Sequence, residues 1–355
     1  MILDGKRILV TGGTGSLGQV LTRRILAGDH GTPRKLIVLS RDEAKQHEMR
    51  LSYLHEAATT DEVIYENFRR ALEFRIGDVR SFADVSGAVR DADIVVNAAA
   101  LKQVPTCEYF PDQALLTNCI GPMNVARAIR EQGLPVETVV GISTDKACQP
   151  VNVMGMTKAL QERIFVAANI LLPKTRFLCV RYGNVLASRG SVIPLFHEQI
   201  RHGGPVTVTV PEMTRFLLSL EQAVDTVFAA IAAGAPGETW VPASPSARVI
   251  DLARALVGER AIEIREQGIR PGEKMHELLV SGEECHHTYA RDGYYVVVPM
   301  LPELAARQRG AAPPVIAREL SSADAVLTPE EVTALLHRHG LLVEQVPSGN
   351  GEMLR

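Results

Sequence analysis

The stretch Thr11-Gly12-Gly13-Thr14-Gly15-Ser16-Leu17-Gly18 decides which fold this chain of 355 residues can adopt. It follows the short apolar run Lys6–Val10 and precedes a pattern with the periodicity of an amphipathic helix. Gly12 permits a tight turn, Gly15 lets the backbone approach a pyrophosphate, and Gly18 allows the helix to pack closely on the strand. This context predicts a dinucleotide site at the helix N-terminus; the alternative is a tight turn without a ligand.

Short apolar runs and helical patterns alternate through the rest of the first half. The predicted strands are Lys6–Val10, Lys35–Ser40, Leu72–Ile76, Ile94–Ala98, Thr138–Ile142 and Arg176–Arg181. The longer predicted helices are Phe82–Val89, Gln113–Glu131 and Gly155–Ile170. This alternation is typical of βαβ units, so we expect an α/β fold with a Rossmann-type doubly wound parallel sheet.

After Gly183 the pattern becomes irregular, which predicts a smaller C-terminal substrate lobe interleaved with the sheet. We expect residues 1–183 and 216–245 in the dinucleotide-binding domain, 184–215 and 246–343 in the lobe, and 344–355 as a flexible tail. The elements predicted there are helices Leu220–Ala233 and Val249–Val257, strands Glu238–Pro242 and Ile262–Arg265, a helix starting at Lys274–Leu278, and a last helix from the capping box at Thr328 to Gly340. Segments 55–70 and 302–317 look like insertions without a chemical signature.

Composition excludes several classes of protein. The 38 basic and 41 acidic residues give a net charge of −3, which argues against nucleic acid or an anionic membrane as partner. Five cysteines without CxxC spacing indicate a reduced, cytoplasmic protein, and Cys285-His286-His287 lacks the second ligand pair of a metal site. The glycine turn starts too early to leave room for a signal peptide, and no apolar run is long enough for a membrane span.

The end of the second predicted strand carries a hydroxyl and a base instead of the usual acid. Ser40 and Arg41, with Lys45 a turn later, suit an added 2′-phosphate, so NADP is favoured over NAD; a solvated helix start is the alternative. Asp78 and Val79 follow the third strand, near the expected adenine position. Small residues after the fourth strand leave space for a cofactor lying on the sheet. The cofactor-binding residues predicted in this way are Gly12, Thr14, Gly15, Ser16, Leu17, Gly18, Ser40, Arg41, Lys45, Asp78, Val79, Ala98, Ala99 and Ala100.

Two segments after the fifth strand carry a family resemblance: Ser143-Thr144-Asp145-Lys146 and Met154-Gly155-Met156-Thr157-Lys158. With them the chain resembles an extended short-chain dehydrogenase/reductase, and more specifically the UDP-N-acetylglucosamine 4,6-dehydratases of bacterial surface-polysaccharide synthesis. The matching pieces span nearly the whole chain: TGGTGSLG, LSRDEAKQ, GDVR, NAAALKQVPTCE, TNCIGPMNV, STDKACQPVNVMGMTK, RYGNVLASRGSVIP, PEMTRF and RPGEKMHE.

Met154 stands where the superfamily's YxxxK motif has its tyrosine base, while Lys158 is kept. Methionine cannot accept a proton, so oxidation of an alcohol needs another base, and a catalytically silent NADP-binding sensor is one alternative. Asp145 and Lys146 favour an active enzyme, because two ionisable groups at a strand end are costly without use. An ion pair that merely ends the strand is the structural alternative.

The reaction that the resemblance implies assigns a role to each of these groups. NADP takes a hydride from carbon 4 of the sugar and returns it to carbon 6. Lys146, with a pKa lowered by burial and by the nearby Lys158 and cofactor, removes the carbon 5 proton, and a protonated Asp145 donates to the departing carbon 6 hydroxyl. Thr144 or Ser143 would hydrogen-bond the 4-hydroxyl, whose base is either Lys146 or a bound water. The configuration at carbon 5 stays open, and the alternative enzyme is a nucleotide-sugar 4-epimerase or a related dehydratase with a different product.

The resemblance also implies a binding site for a UDP-sugar, most simply UDP-N-acetylglucosamine. Lys158 would orient the nicotinamide ribose, and Tyr182 would close the cofactor site. The implied substrate-binding residues are Lys102, Asn184, Arg189, Ser191, Arg215, Arg270 and Glu273. Salt bridges between the lobes are the alternative role for its charged members. The helices Gln113–Glu131 and Gly155–Ile170 suit either a homo-oligomer seam (dimer or hexamer) or ordinary core packing.

Overall fold

A computed structural model of the protein describes residues 1–56, 62–188, 190–305 and 314–346. The strands are β1 Arg7–Thr11, β2 Lys35–Ser40, β3 Leu72–Ile76, β4 Ile94–Asn97, β5 Thr138–Thr144, β6 Arg176–Tyr182, β7 Asn184–Val185, β8 Val206–Val208, β9 Thr214–Leu218, β10 Thr239–Pro242, β11 Ser246–Arg248, β12 Ile264–Glu266, β13 Leu278–Val280, β14 Thr288–Arg291, β15 Tyr294–Val297 and β16 Leu320–Ser321. The helices are α1 Ser16–Ala27, α2 Glu43–Glu56, α3 Glu62–Ala71, α4 Phe82–Val89, α5 Val104–Tyr109, α6 Pro111–Leu115, α7 Gly121–Gln132, α8 Val153–Leu171, α9 Val192–Arg201, α10 Leu220–Ala233, α11 Val249–Val257, α12 Pro302–Ala305 and α13 Pro329–Arg338.

The main sheet has nine strands in the order β14-β15-β10-β6-β5-β4-β1-β2-β3. The first six strands of the chain and β10 are parallel, which confirms the Rossmann-type doubly wound sheet expected from the alternating pattern. The hairpin β14–β15 joins β10 antiparallel at one edge. These two strands lie inside the range 246–343 that the sequence assigned to the lobe, because pairing with β10 extends the main sheet beyond the parallel units.

The parallel strands are apolar on both faces because helices cover both faces. Side chains alternate along β1, so Ile8 and Val10 enter one core while Leu9 enters the other. Helices α1, α3 and α10 pack on the first core, and α4, α7 and α8 pack on the second. The parallel strands are thereby packed on both faces of the sheet.

The lobe has a core of its own, built from α9, α11 and α13 with β8 and β9. Its small sheets pair β12 with β8, β13 with β16, and β9 with β11 and β7. β9 begins the range 216–245 but belongs to this small sheet, whereas α10 and β10 return to the main sheet. Across the described residues, none of the helices combines the length and apolar character that a membrane span needs.

Several sequence expectations differ from the structure. The helix expected from Lys274–Leu278 is wrong: β13 starts at Leu278, and the non-helical residues before it make tertiary hydrogen bonds such as Thr214 amide to Met275 carbonyl, 3.1 Å. Much of the supposed insertion 55–70 is helix, since α3 packs on α1 with Asn67 donating to the Leu26 carbonyl at 2.7 Å. Residues 57–61, and 306–313 of the other insertion, lie outside the described residues, as does the tail from 347 onward.

The helix expected over Gln113–Glu131 is observed as α6, a π-helical segment Leu116–Ile120, and α7. Wide turns of this kind are frequent at functional sites, because the extra residue redirects a side chain. The side chain at its centre is Asn118, whose amide donates to the Leu101 carbonyl at 3.0 Å and to Thr157 Oγ1 at 3.0 Å. Asn118 therefore ties the loop after β4 to the first turn of α8.

Candidate active site

The glycine turn forms the cradle that its sequence predicts. Gly12 has φ +67°, and a Cβ there would lie 2.7 Å from the Cα of Ala99, so only glycine fits between the ends of β1 and β4. A Cβ on Gly18 would collide with the backbone of Gly13, which confirms the close packing of helix on turn. Gly15, the residue before α1, supplies no side-chain cap to the first-turn amides, the groups that bind an anion at a helix N-terminus.

The floor of this cradle is polar at the end of β4. Thr11 Oγ1 donates to Asn97 Oδ1 at 3.1 Å, and the Ala99 amide donates to Thr11 Oγ1 at 3.2 Å. Asn97 Nδ2 is buried and has no hydrogen-bond partner among the described residues. An unsatisfied donor beneath a glycine cradle fits a nicotinamide dinucleotide lying across Ala98–Ala100.

A basic side chain, Arg41, follows the end of β2, on the side of the cradle where the adenosine half of the cofactor is expected. Ser40 is buried and shares a 2.9 Å hydrogen bond with Thr14 between their hydroxyls, while the Arg41 guanidinium is 60% exposed and lies 3.9 Å from Asp78 Oδ2. Lys45 is paired with Asp42 at 2.8 Å, so it is less available to a ligand than the sequence suggested.

Asp78 and Val79 lie at the adjacent strand end. Arg80 donates to the Asp78 carboxylate at 2.6 Å, and this hydrogen bond holds the pKa of Asp78 below its usual value. The Val79 carbonyl accepts from Asn124 Nδ2 at 2.9 Å, which fixes the loop after β3 against α7. The predicted cofactor residues therefore line one continuous edge of the sheet.

The catalytic turn begins where β5 ends. Thr144 is the last residue of the strand, and Asp145–Ala147 form one 3₁₀ turn. Thr144 Oγ1 donates to Asp145 Oδ1 at 2.9 Å, and Lys146 Nζ donates to the same oxygen at 3.0 Å. Lys146 Nζ also donates to Asn184 Oδ1 at 3.2 Å, so β5 and the segment after β6 meet at this ammonium.

A second acid, which the sequence analysis missed, reaches the same lysine. Glu277 Oε1 lies 3.6 Å from Lys146 Nζ, and its side chain is 2% exposed against 19% for Lys146 and 0% for Asp145. Asp145 Oδ2 and Glu277 Oε2 are both buried without a hydrogen-bond partner in the described part of the chain. The motif RPGEKMHE contains Glu277, but its spacing does not reveal which of its acids faces the lysine.

Lys146 does not have the lowered pKa that the sequence analysis expected. Burial would lower the pKa of Lys146, but the carboxylates of Asp145 and Glu277 outweigh burial and raise it above the ordinary 10.5. Lys158 behaves in the opposite way: burial lowers its pKa to about 8, and its Nζ donates to Gln161 Oε1 at 2.6 Å. Of the two lysines, Lys158 is therefore the one whose pKa lies closer to neutral pH.

The Met154 side chain is buried and does not reach the protein surface. Its side chain is buried with Cys107 and Ala114, beside the partly buried Leu101 and Val104. The Met154 carbonyl accepts from the Thr157 hydroxyl at 2.9 Å, in the first turn of α8. Met154 thus supports the loop after β4 through apolar contacts, in the place where a tyrosine hydroxyl would otherwise stand.

Behind the catalytic turn lies a second buried ionic cluster. Arg181 on β6 uses all five of its N–H groups, in four bonds to the carboxylates of Glu162 and Glu284 and one to the Leu279 carbonyl, at 2.7–3.0 Å. Ser143, the residue before Thr144, donates to Glu162 at 2.5 Å. This cluster joins β5, β6, α8 and the lobe.

The predicted substrate residues do not all converge on the site. Arg215 is buried, its charge acts on Lys146, and it donates to the Thr214 carbonyl at 2.7 Å. Ser191 Oγ is buried and lacks a partner among the described residues, as a ligand-binding hydroxyl would. Lys102 is exposed in the loop after β4.

Arg270 and Glu273 lie next to each other in the lobe. Arg270 is exposed and contacts Gln267 at 3.2 Å, and Glu273 accepts from the Thr209 hydroxyl at 3.4 Å. Arg189 lies outside the described residues. Tyr182 is buried at the end of β6, opposite Thr144 in the sheet register, and burial raises its pKa.

Comparisons with known proteins agree with this geometry. Residues 8–299 match the family described as "Polysaccharide biosynthesis protein". A UDP-N-acetylglucosamine 4,6-dehydratase (inverting) from Campylobacter jejuni is 41% identical over 303 residues, covering 84% of this chain and 85% of that protein. A UDP-glucose 4-epimerase from Rickettsia bellii is 44% identical over 306 residues, covering 84% of each chain.

The solved structure of Pen from Bacillus thuringiensis superposes with a TM-score of 0.84 at 32% identity, covering 96% of this chain and 100% of that one. The match therefore includes the lobe as well as the sheet. Together, the glycine cradle, the lysine–carboxylate turn and these similarities establish that the chain belongs to the polysaccharide biosynthesis protein family, within the extended short-chain dehydrogenase/reductases.

Proposed function

We propose that the protein is a UDP-N-acetylglucosamine 4,6-dehydratase, a hydro-lyase that forms a UDP-4-keto-6-deoxy sugar for glycan synthesis. The observation that carries this proposal is the pair Asp145–Lys146 at the end of β5, joined at 3.0 Å with one carboxylate oxygen unpartnered within the described chain. The 41% identity to a dehydratase of that name supports the same reaction.

The cofactor of this proposal is NADP. When bound, it would accept a hydride from carbon 4 and return it to carbon 6. The glycine turn and the first-turn amides of α1 would hold the pyrophosphate, and the exposed Arg41 beside Ser40 would bind the 2′-phosphate. An acid at that strand end would repel the phosphate, which is why NADP is favoured over NAD.

The chain's own residues supply the proton transfers. Lys146 is the partly exposed member of the pair, so it takes the carbon 5 proton, while the buried Asp145 supplies a proton for the departing hydroxyl. Because the resting Lys146 is an ammonium, its proton first passes to Asp145 along their 3.0 Å hydrogen bond. Thr144 lies beside both groups and would bind the 4-hydroxyl.

The substrate would enter between the strand ends and the lobe. Asn184 and Arg215 lie near Lys146 and suit the sugar and the diphosphate. Lys102, Arg189, Ser191, Arg270 and Glu273 complete the proposed binding set, and Lys158 and Tyr182 would adjoin the nicotinamide. Met154 supplies no proton-accepting atom, so a water or Lys146 would deprotonate the 4-hydroxyl.

Four apolar side chains on neighbouring helices are exposed: Leu116 in the π-helical segment, Met123 on α7, and Met156 and Leu160 on α8. We propose that this face is covered by a second copy in a homo-oligomer. A cytoplasmic location stays a prediction of the unpaired cysteines, all five of which are buried and free.

The decisive experiment incubates the purified protein with UDP-N-acetylglucosamine and NADP in deuterated water and follows the sugar by NMR. We expect a 4-keto-6-deoxy product that carries deuterium at carbon 5, with ring couplings that reveal the configuration there. Lys146→Ala should reduce turnover at least about a thousandfold, since it removes the base. Lys174→Ala, which changes an exposed lysine, is the matched control.

The competing function is a nucleotide-sugar 4-epimerase, which the 44% identical Rickettsia protein of that name favours. An epimerase would return a sugar that keeps its carbon 6 hydroxyl and takes up no deuterium at carbon 5. Unchanged UDP-N-acetylglucosamine with folded, cofactor-loaded protein would contradict the dehydratase and leave the NADP-binding sensor as the explanation.

A further inference from the structure

An acid from the lobe, Glu277, lies with its Oε1 3.6 Å from the Nζ of the catalytic lysine. We propose that Glu277 is a positioning residue for Lys146, fixing where its Nζ lies between the catalytic turn and the lobe. This inference rests on the proposed function and deepens it, because it makes the lobe part of the proton-transfer apparatus.

The backbone of Glu277 is fixed on both sides by one serine. The Glu277 amide donates to Ser322 Oγ at 2.9 Å, and the Ser322 amide donates to the Glu277 carbonyl at 2.9 Å. Ser322 Oγ in turn shares a 2.7 Å hydrogen bond with Thr214 Oγ1 on β9. Because β13 begins at the next residue, the carboxylate projects from a rigid point of the lobe.

Docking of this segment on the catalytic turn does not require the charge of Glu277. Asn152 Nδ2 donates to the Gly272 carbonyl at 2.7 Å, and Lys274 Nζ donates to the Cys148 carbonyl at 2.7 Å. These two contacts already join the lobe segment to the turn after β5. The carboxylate of Glu277 is therefore not needed for docking and can interact with Lys146.

The bonding of the carboxylate points the same way. Oε2 of Glu277 is buried without a hydrogen-bond partner among the described residues, and Lys274 Nζ lies 3.9 Å away, beyond hydrogen-bond distance. A purely structural side chain here would favour an amide or apolar group, because a buried carboxylate with an unsatisfied oxygen is destabilising. A full negative charge is useful here because Lys146 is cationic.

Charged groups of both signs surround Lys146. Asp145 contacts it from β5 and Glu277 from the lobe; Lys274 lies beyond Glu277, and Arg215 acts on Lys146 as a second cation. With Glu277 present, the ammonium is drawn away from an exclusive pair with Asp145 and held where both carboxylates and Asn184 reach it. Without that charge, Asp145 would dominate its position.

The test separates charge from reach. Glu277→Gln keeps the length and removes the charge; Glu277→Asp keeps the charge and shortens the reach; Glu283→Gln makes the first change at an exposed residue of the same segment. The first readout is the rate at which Lys146 is acetylated by acetic anhydride at pH 9, measured by mass spectrometry relative to Lys174 in the same sample. Thermal unfolding and NADP binding report that each variant is folded.

We expect labelling of Lys146 to be about tenfold faster or more in Glu277→Gln, since losing a nearby anion increases the amine fraction about tenfold for each pH unit of pKa lowering. Glu277→Asp and Glu283→Gln should label like the wild type within about threefold. In turnover, Glu277→Gln should lose about tenfold or more in kcat while KM for UDP-N-acetylglucosamine stays within about threefold, because a displaced base slows the chemical step.

Equal labelling of Lys146 in Glu277→Gln and wild type would overturn the inference. A rise in KM together with lower thermal stability, and no change in labelling, would also overturn it, since that pattern describes a merely structural contact. Because labelling needs no substrate, it still decides the role of Glu277 if the wild type proves not to turn over UDP-N-acetylglucosamine.

Discussion

Two buried ionic clusters adjoin the end of β5, and they differ in how completely their oxygens and N–H groups are bonded. In the Arg181 cluster, every N–H of the guanidinium is used, and both glutamates accept bonds on both oxygens. In the Lys146 cluster, one oxygen of Asp145 and one of Glu277 lack a partner within the described residues. The saturated cluster holds strands together, while the unsaturated one keeps capacity for a ligand.

The side chains suit these different tasks. Arginine offers a planar fork that binds two carboxylates at fixed angles and keeps its proton, and its partners raise the pKa of Arg181 well above the usual value despite burial. Lysine offers a single ammonium that can turn among several acceptors and can lose its proton. The fully bonded cluster therefore joins structural elements, and the incompletely bonded one has oxygens left for a ligand, although only one residue of β5 separates the two.

The largest expected effect comes from breaking the saturated cluster. Arg181→Met leaves Glu162 and Glu284 buried without a compensating charge, which typically costs about 3–5 kcal/mol in the free energy of unfolding. Chemical denaturation of both proteins measures this difference. A loss below about 1 kcal/mol would mean that the cluster is not the structural one.

A slightly smaller effect is expected from acid. Burial opposes ionisation, but Arg181 and the Ser281 amide lower the pKa of Glu284 from 4.5 to about 2. The unfolded chain then binds the proton more tightly, so this stabilisation is present above about pH 4.5 and is lost as pH falls toward 2. The lost part is about 3 kcal/mol. Urea unfolding of wild type and Glu284→Gln between pH 5 and 3 should show a steeper decline for wild type.

The smallest expected effect is the difference in the free energy of unfolding when the same Glu→Gln substitution is made in each cluster. Glu284→Gln at pH 7 places an amide N–H against the guanidinium and should cost about 2 kcal/mol, whereas Glu277→Gln has an unpartnered oxygen to replace and should cost less than about 1 kcal/mol. Thermal and urea unfolding of both variants give the contrast. Equal losses would erase the distinction between the clusters.

Much of the fold was predictable, because hydrophobic period and glycine spacing are local properties of the chain. The strands of the parallel sheet were found to within a few residues, and the cradle at Gly12 has the predicted form. Segments ruled by distant contacts were not predictable: the non-helical run before Leu278 depends on β9 and Ser322, and the π-helical segment at Asn118 depends on packing against α8.

The site divides in the same way. Asp145 and Lys146 were identifiable because they are adjacent in sequence at a strand end, where ionisable residues are costly without use. The expected direction of the Lys146 pKa was wrong because it left out the carboxylates that oppose burial: first Asp145, the neighbour in sequence, and then Glu277, an acid 131 positions away in the chain. Neither the partner of a charge nor its balance with burial can be inferred from spacing.

The sequence by itself determined the parallel sheet, the dinucleotide cradle and the pair of groups that carries the proposed chemistry, since each depends on residues close together in the chain. Only the tertiary structure decided that the lobe supplies a third charge to the catalytic lysine, that Lys158 has the lowered pKa, and that Arg181 is a structural hub. Electrostatic energy depends on distance in space and on exclusion of water, and both are set when remote segments pack together.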